Sequence, residues 1–168
     1  MTATMHLESM EVAVPAALVA KLDVTTGADP SRISEATEAA VGKVQEFLVR
    51  NRLVAAGPPR AIYTSWGPAE VRFTVAVPIS EAPTPLIETE GVTVEAIPES
   101  TALRFVHHGP YRELRATYAR IEAWLRERGG IRTAADWERY SPMWEEYVSD
   151  PATTPESELV TRIFLTLR

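Results

Sequence analysis

The stretch Val71-Arg72-Phe73-Thr74-Val75-Ala76-Val77 places an apolar side chain at every second position. A period of two predicts a β-strand with one buried face. The same alternation returns near the end of the sequence, over 159–167. Because two similar strands close two similar runs of sequence, we expect the chain to contain a duplication.

The landmarks upstream of these two strands recur in the same order. Three pairs of residues lie 82 to 84 positions apart: Pro15 and Pro98, Gly27 and Gly109, Tyr63 and Tyr147. A duplication of this kind predicts a pseudo-symmetric domain with a seam between its halves. Ligand clefts commonly form at such interfaces.

Helices and further strands follow from the same kind of patterning. Apolar residues alternate over 18–24, which predicts a strand. Asp29 then offers a helix N-cap before Pro30, and apolar residues at three- and four-residue spacing predict an amphipathic helix to Leu48. A second helix is expected over 110–128, ended by a pair of glycines.

The order of elements predicts the fold class. The runs 92–97 and 102–107 are expected to form a hairpin, and each half reads as two strands, a helix and two strands. Strands joined by hairpins imply an antiparallel α+β sheet, with both helices on one face and a cavity along the pseudo-twofold axis. We expect one domain over 1–168, with repeat one at 8–80, a linker at 81–91 and repeat two at 92–168.

Composition excludes several function classes. The chain has 168 residues and no cysteine, so disulfides and thiolate chemistry are ruled out. Its formal charge of −6 argues against direct nucleic-acid binding, which needs a basic face. The sequence has no apolar run long enough to span a membrane and no signal peptide at its start, so we expect a cytoplasmic protein. No motif indicates a cofactor or a metal.

Several pieces of the second half together carry a family resemblance. In chain order they are His108-Gly109-Pro110-Tyr111, Trp124-Leu125, Trp144-Glu145-Glu146-Tyr147-Val148-Ser149-Asp150-Pro151, and the closing strand 158–167. The chain resembles the GyrI-like domain, which is also the effector-binding domain of AraC-type and MerR-type multidrug-sensing activators. The first half matches more loosely, through 61–63 and 73–79. The resemblance implies an SHS2-like duplicated fold with a central cavity for flat, aromatic, often cationic compounds.

The resemblance also implies a role for Glu145, at the base of that cavity. A desolvated carboxylate is costly without a partner, whereas a delocalised cation neutralises it and stacks on neighbouring rings. Strand parity puts Glu145 and Tyr147 on one face, and Ala61 and Tyr63 hold the equivalent positions in the first repeat. Spacing alone also fits a solvated Glu145 beside Glu146.

Aromatic side chains are expected to line the cavity around this carboxylate. The candidate ligand-binding residues are Glu145, Tyr147, Tyr63, Phe105, Tyr111, Trp137, Tyr140 and Trp66. Large aromatic residues are also frequent core residues, and we expect Tyr118 and Trp124 to pack within the helix's apolar stripe. Trp144 and Glu146 have the opposite parity to Glu145 and should face the other side of the sheet.

One residue departs from the family pattern. Many relatives carry a second acidic residue in the last strand, in a Thr-Glu-Ile context, where this chain has Thr161-Arg162-Ile163. If Arg162 entered the cavity, it would pair with Glu145 and weaken a preference for cations. Its parity predicts solvent or the cavity rim instead.

Three function classes are consistent with these residues. The first is a stand-alone protein that binds or senses aromatic small molecules, favoured because the domain begins close to the start of the sequence. The second is a hydrolase of electrophilic toxins, in which Glu145 would be the general base. The third is a protein-binding module similar to gyrase inhibitors.

Overall fold

The computed structural model describes residues 7–82, 85 and 91–168, so most of the predicted linker 81–91 lies outside the described residues. The strands and α-helices are, in chain order, β1 Ser9–Val14, β2 Ala17–Gly27, α1 Pro30–Arg50, β3 Arg60–Trp66, β4 Glu70–Ile79, β5 Thr93–Ile97, β6 Ser100–His108, α2 Leu114–Glu127, β7 Met143–Tyr147 and β8 Val160–Leu167. Short 3-10 helices cover Tyr111–Glu113, Ala134–Tyr140 and Glu156–Glu158. The predicted order of two strands, a helix and two strands, repeated once, is confirmed.

The eight strands form one antiparallel sheet with internal pseudo-twofold symmetry. Their order is β1-β6-β8-β7-β3-β4-β2-β5. If each strand is replaced by its counterpart in the other repeat, the same order is read from the opposite edge. The pseudo-twofold axis therefore passes between β3 and β7, where the two repeats meet.

The pairing of the first strand in each repeat differs from the sequence-based prediction. The expected hairpin over 92–107 does not form, because β5 pairs with β2 and β6 pairs with β1 and β8. Only Pro98 and Glu99 separate β5 from β6. Tight two-residue hairpins need positive φ in the turn, which the ring of Pro98 forbids. The first strand of each repeat consequently joins the edge of the other repeat.

Both helices cover the same face of the sheet. Asp29 caps α1 by accepting a hydrogen bond of 2.9 Å from the Ser31 backbone N–H. Helix α1 buries Val44 and Phe47 in a cluster with residues of β2, β3 and β4. Helix α2 buries Ile121 in a second cluster with residues of β6 and β8. The seam between the two clusters lies over β3 and β7.

No helix covers the opposite face in the part of the chain that is described. There the rings of Trp144 and Phe164 stack with centroids 4.8 Å apart, and Glu146 lies 3.8 Å from the Arg60 guanidinium. Trp144 and Glu146 thus face away from Glu145, as their parity predicts. Neither of the two described α-helices has the length and apolar character needed to cross a membrane.

Candidate functional site

Glu145 lies at the centre of the pseudo-symmetric sheet. It pairs directly with Ala61 across the β3–β7 interface. These two residues are also equivalent positions of the two repeats, so the pseudo-twofold axis passes through this pair. Both side chains face the helices, and both are buried, Glu145 with only 4 % of its surface exposed. The duplication therefore places one carboxylate, opposite one small side chain, at the middle of the seam.

Three tyrosines surround the carboxylate. Tyr63 and Tyr147 follow Ala61 and Glu145 by two positions on antiparallel strands, so they flank the central pair on opposite sides. The Tyr63 hydroxyl donates a hydrogen bond of 3.0 Å to Oε1 of Glu145. The hydroxyls of Tyr118, from α2, and Tyr147 also lie close enough to favour the charged carboxylate.

Burial dominates the electrostatics of this cluster. Desolvation raises the pKa of Glu145 to about 7, against the opposing effect of the nearby Tyr63, Tyr118 and Tyr147 hydroxyls, of which only Tyr63 makes a hydrogen bond to the carboxylate. Burial and the nearby Glu145 charge raise the pKa values of all three tyrosines well above their usual range. The tyrosines therefore act as neutral donors, whereas Glu145 changes its charge near neutral pH.

Two buried oxygen atoms in this region have no hydrogen-bond partner among the described residues. They are Oε2 of Glu145 and Oγ1 of Thr161, a residue with no exposed surface. Thr161 on β8 pairs with Tyr147, whereas Glu145 pairs with Ile163, so the two side chains are diagonal neighbours on the same face. Buried polar atoms are normally hydrogen-bonded, which makes this pair of oxygens unusual.

The 3-10 helix before α2 carries Tyr111 to this site. Gly109 adopts φ 113°, a conformation that favours glycine, and turns the chain after β6. The buried His107 then holds the turn, with Nδ1 2.6 Å from Thr117 Oγ1 and Nε2 2.9 Å from the Pro110 carbonyl oxygen. The Tyr111 ring contacts the Tyr147 ring edge-on, with centroids 5.6 Å apart. Burial, and next the Glu145 charge, raise the pKa of Tyr111.

A β-bulge brings Trp66 to the same side of β3 as Tyr63. Residues three apart on a regular strand face opposite sides, but the β3–β4 register shifts between Tyr63 and Ser65. The Trp66 ring consequently lies 5.2 Å from the Tyr63 ring. Trp66 is 65 % exposed, which places it at the rim of the tyrosine cluster and open to solvent.

Three predicted ligand-binding residues lie in the hydrophobic cluster under α2. Phe105 is fully buried and packs edge-on against Trp124, with ring centroids 5.4 Å apart. Trp137 and Tyr140 contact each other in the same cluster, and the Tyr140 hydroxyl donates to the Gly130 carbonyl. These contacts favour a packing role for all three residues.

Tyr118 packs in the hydrophobic cluster under α2, and Arg162 lies on the face away from Glu145, as the apolar stripe and the strand parity predict. The Tyr118 hydroxyl also lies close to Glu145, which the sequence analysis did not predict. Because a buried tyrosine usually finds a hydrogen-bond partner for its hydroxyl, a tyrosine in the apolar stripe of α2 is a signal that could have indicated a polar group in the seam. Arg162 pairs in register with Glu146, on the face opposite Glu145. It therefore does not neutralise the central carboxylate.

Two surface depressions of the described part of the chain are not lined by Glu145. One, of about 640 Å³, is lined by Pro110, Arg112 and Glu156 among others, and another, of about 300 Å³, lies beside Met10 and Arg104. Glu145 itself is almost fully buried, with Tyr63, Tyr118 and Tyr147 beside it. A ligand that reaches this carboxylate must displace some of them.

Comparison with known proteins establishes the family. The model of the GyrI-like small molecule binding domain matches residues 67–168, and the chain belongs to this family. No curated protein matches the sequence significantly. The fold is similar to that of the EcmrR C-terminal domain, with a TM-score of 0.77 and 18 % identity over 98 % of this chain and 99 % of that one. A longer EcmrR chain, solved in a complex with DNA, also matches, and this chain covers 56 % of its length.

Two further solved structures share the fold at lower similarity. A hydrolase from Listeria innocua matches with a TM-score of 0.60 and 14 % identity, over 94 % of this chain and 90 % of that one. SAV2435, solved with tetraphenylphosphonium bound, matches with a TM-score of 0.59 and 9 % identity, over 98 % and 94 % of the two chains. Identities this low relate these proteins to the chain through their fold.

Proposed function

We propose that this small-molecule-binding domain takes flat aromatic cations at the seam between its repeats, with Glu145 as the counter-charge. The observation that carries the proposal is a carboxylate buried on the pseudo-twofold axis, surrounded by Tyr63, Tyr118 and Tyr147, with one oxygen left without a partner. A buried charge of this kind is stable only when it is paired. Arg162, which departs from the family pattern, lies on the opposite face of the sheet from Glu145 and does not pair with it.

The surrounding rings favour an aromatic cation over an inorganic one. A cation held near tyrosine faces gains attraction from the ring quadrupoles, most strongly where water is excluded. Tyr111 and the exposed Trp66 adjoin the tyrosines and lie where an entering ring would first make contact. The structure of the fold relative SAV2435 with tetraphenylphosphonium, a bulky rather than flat aromatic cation, supports an aromatic cation as the ligand.

The test is a fluorescence-anisotropy titration with rhodamine 123, a planar cation, on the wild type, Glu145→Gln and Glu146→Gln. We expect micromolar binding that weakens about tenfold or more in Glu145→Gln, equivalent to about 1.4 kcal/mol. Glu146→Gln makes the same chemical change one residue away but on the opposite face, so its affinity should match the wild type. Equal losses in both variants, or no binding by the wild type, would refute the proposal.

A hydrolase is the second candidate, because a pKa of about 7 suits Glu145 for general-base catalysis near neutral pH. The Tyr63 hydroxyl would hold the carboxylate in place. Mass spectrometry of an electrophilic ester or epoxide probe after incubation separates the two functions. Turnover that disappears in Glu145→Gln supports the hydrolase, whereas an intact probe supports binding alone.

A further inference from the structure

We infer that the bound cation carries its charge on a nitrogen with N–H groups, as an iminium, an amidinium or a protonated amine does, and that Thr161 selects for it. The inference rests on the proposed function and adds the chemical class of the ligand. It assigns a role to Thr161, a fully buried residue of β8.

Two buried oxygen atoms on the helix-covered face of the sheet have no hydrogen-bond donor among the described residues. Oε1 of Glu145 already accepts from the Tyr63 hydroxyl, but Oε2 accepts from no described group. Oγ1 of Thr161 has no partner either. A buried oxygen without a hydrogen bond destabilises the protein. A ligand that donates hydrogen bonds to both oxygens removes this cost when it binds.

The register of β7 and β8 puts these two oxygens within reach of one ligand group. Tyr147 pairs with Thr161 and Glu145 with Ile163, so Glu145 and Thr161 form a diagonal pair. The Cα atoms of such a pair are about 7–8 Å apart, and both side chains project from the same face. A terminal –NH₂⁺ group offers two N–H donors, one for each oxygen.

Cations without N–H groups cannot make these bonds. A quaternary ammonium or a phosphonium neutralises the Glu145 charge but leaves both Oε2 and the Thr161 hydroxyl unbonded. Sites that hydrogen-bond a ligand discriminate strongly against analogues that lack the matching group, because their own buried polar atoms are then unpaired. Selection among cations therefore depends on hydrogen bonds, while Glu145 supplies the charge.

A matched pair of dyes tests this inference. Rhodamine 123 and tetramethylrhodamine methyl ester share the planar cationic ring system, but only the first carries N–H groups on its amino nitrogens. We expect the wild type to bind rhodamine 123 about tenfold more tightly than the methylated dye, as expected for hydrogen bonds to a charged group. Affinities are measured by anisotropy at pH 8.

Two substitutions at Thr161 separate hydrogen bonding from size. Thr161→Val keeps the shape and removes the hydroxyl, so the preference for rhodamine 123 should fall several-fold, to about threefold or less. Thr161→Ser keeps the hydroxyl and should retain the preference. Thermal melting of each variant checks that the fold is intact, and Val at this buried position should be tolerated because it removes an unpartnered oxygen.

The outcomes distinguish failure of the inference from failure of the proposed function. Equal affinity of the wild type for both dyes overturns the inference and leaves the cation site standing. A preference that is unchanged in Thr161→Val assigns it to the bulk of the methyl groups and also overturns the inference. If neither dye binds the wild type, the proposed function is refuted and the inference with it.

Discussion

Replacing Glu145 with glutamine should stabilise the fold at alkaline pH while weakening the proposed cation binding. The carboxylate is buried on the pseudo-twofold axis and faces no cationic side chain among the described residues that neighbour it. Above its pKa the folded protein must hold a desolvated charge, which the unfolded chain would expose to water. Glutamine keeps an acceptor for the Tyr63 hydroxyl and carries no charge.

The size of the effect follows from the two pKa values. The folded pKa is about 7 against an ordinary value of 4.5. A tenfold change in proton affinity is worth about 1.4 kcal/mol, so the ionised Glu145 costs the wild type about 3 kcal/mol at pH 8. Below pH 4.5 the group is protonated in both folded and unfolded chains, and the cost disappears. Between these limits the native state binds more protons, so wild-type stability falls as pH rises.

Urea denaturation of the wild type and Glu145→Gln at pH 4, 6 and 8 measures this difference. The stability of Glu145→Gln relative to the wild type should increase by about 3 kcal/mol from pH 4 to pH 8. Glu146→Gln is the matched control. Burial also raises the pKa of Glu146, but Arg60 and its arginine neighbours oppose the rise, so the gain should be smaller.

A difference between Glu145→Gln and the wild type that stays constant from pH 4 to pH 8 would refute this reasoning. It would mean that the carboxylate is solvated or paired in the folded protein. A difference that shrinks with rising pH would mean that the folded state stabilises the charge. Either result would also remove the physical basis for cation binding at this position.

Two further predictions concern the same site. The affinity for tetraphenylphosphonium, whose charge does not titrate, should rise about tenfold from pH 6 to pH 8, because only ionised Glu145 attracts it. Calorimetry at both pH values measures this affinity, and an affinity that does not change with pH would contradict the prediction. Ala61→Leu should fill the position opposite Glu145, weaken cation binding and cost about 1–3 kcal/mol of stability through overpacking. If a folded Ala61→Leu variant binds the cation as tightly as the wild type, the ligand binds elsewhere.

The local part of this fold could be predicted from the sequence. Helix α1 follows from the Asp29 cap and its apolar periodicity, and the closing strands follow from their alternation. The common face of Glu145, Tyr147 and Tyr63 follows from parity and from the duplication. Each of these features depends on residues that are close in sequence, or on the equivalence of the two repeats.

The remaining features depend on contacts between distant segments. No local pattern indicated that β5 would pair with β2, because strand pairing depends on contacts across the whole sheet. The β-bulge that turns Trp66 toward Tyr63 arises from a register shift between β3 and β4. Whether the Thr161 hydroxyl has a hydrogen-bond partner depends on the positions of all its neighbours, which local sequence patterns do not specify.

The exchange of first strands between the repeats has a consequence for synthesis on the ribosome. Strand β1 leaves the ribosome before the other strands of the sheet, but its partner, β6, lies in the second repeat, and Ser9 pairs with Phe105. Pairing over such a sequence separation requires closure of a long loop and is slow. The first repeat therefore emerges with β1 unpaired and with the edge of β2 that receives β5 still open. Unpaired strand edges promote aggregation, so the nascent chain is most vulnerable in the interval before its second half is made.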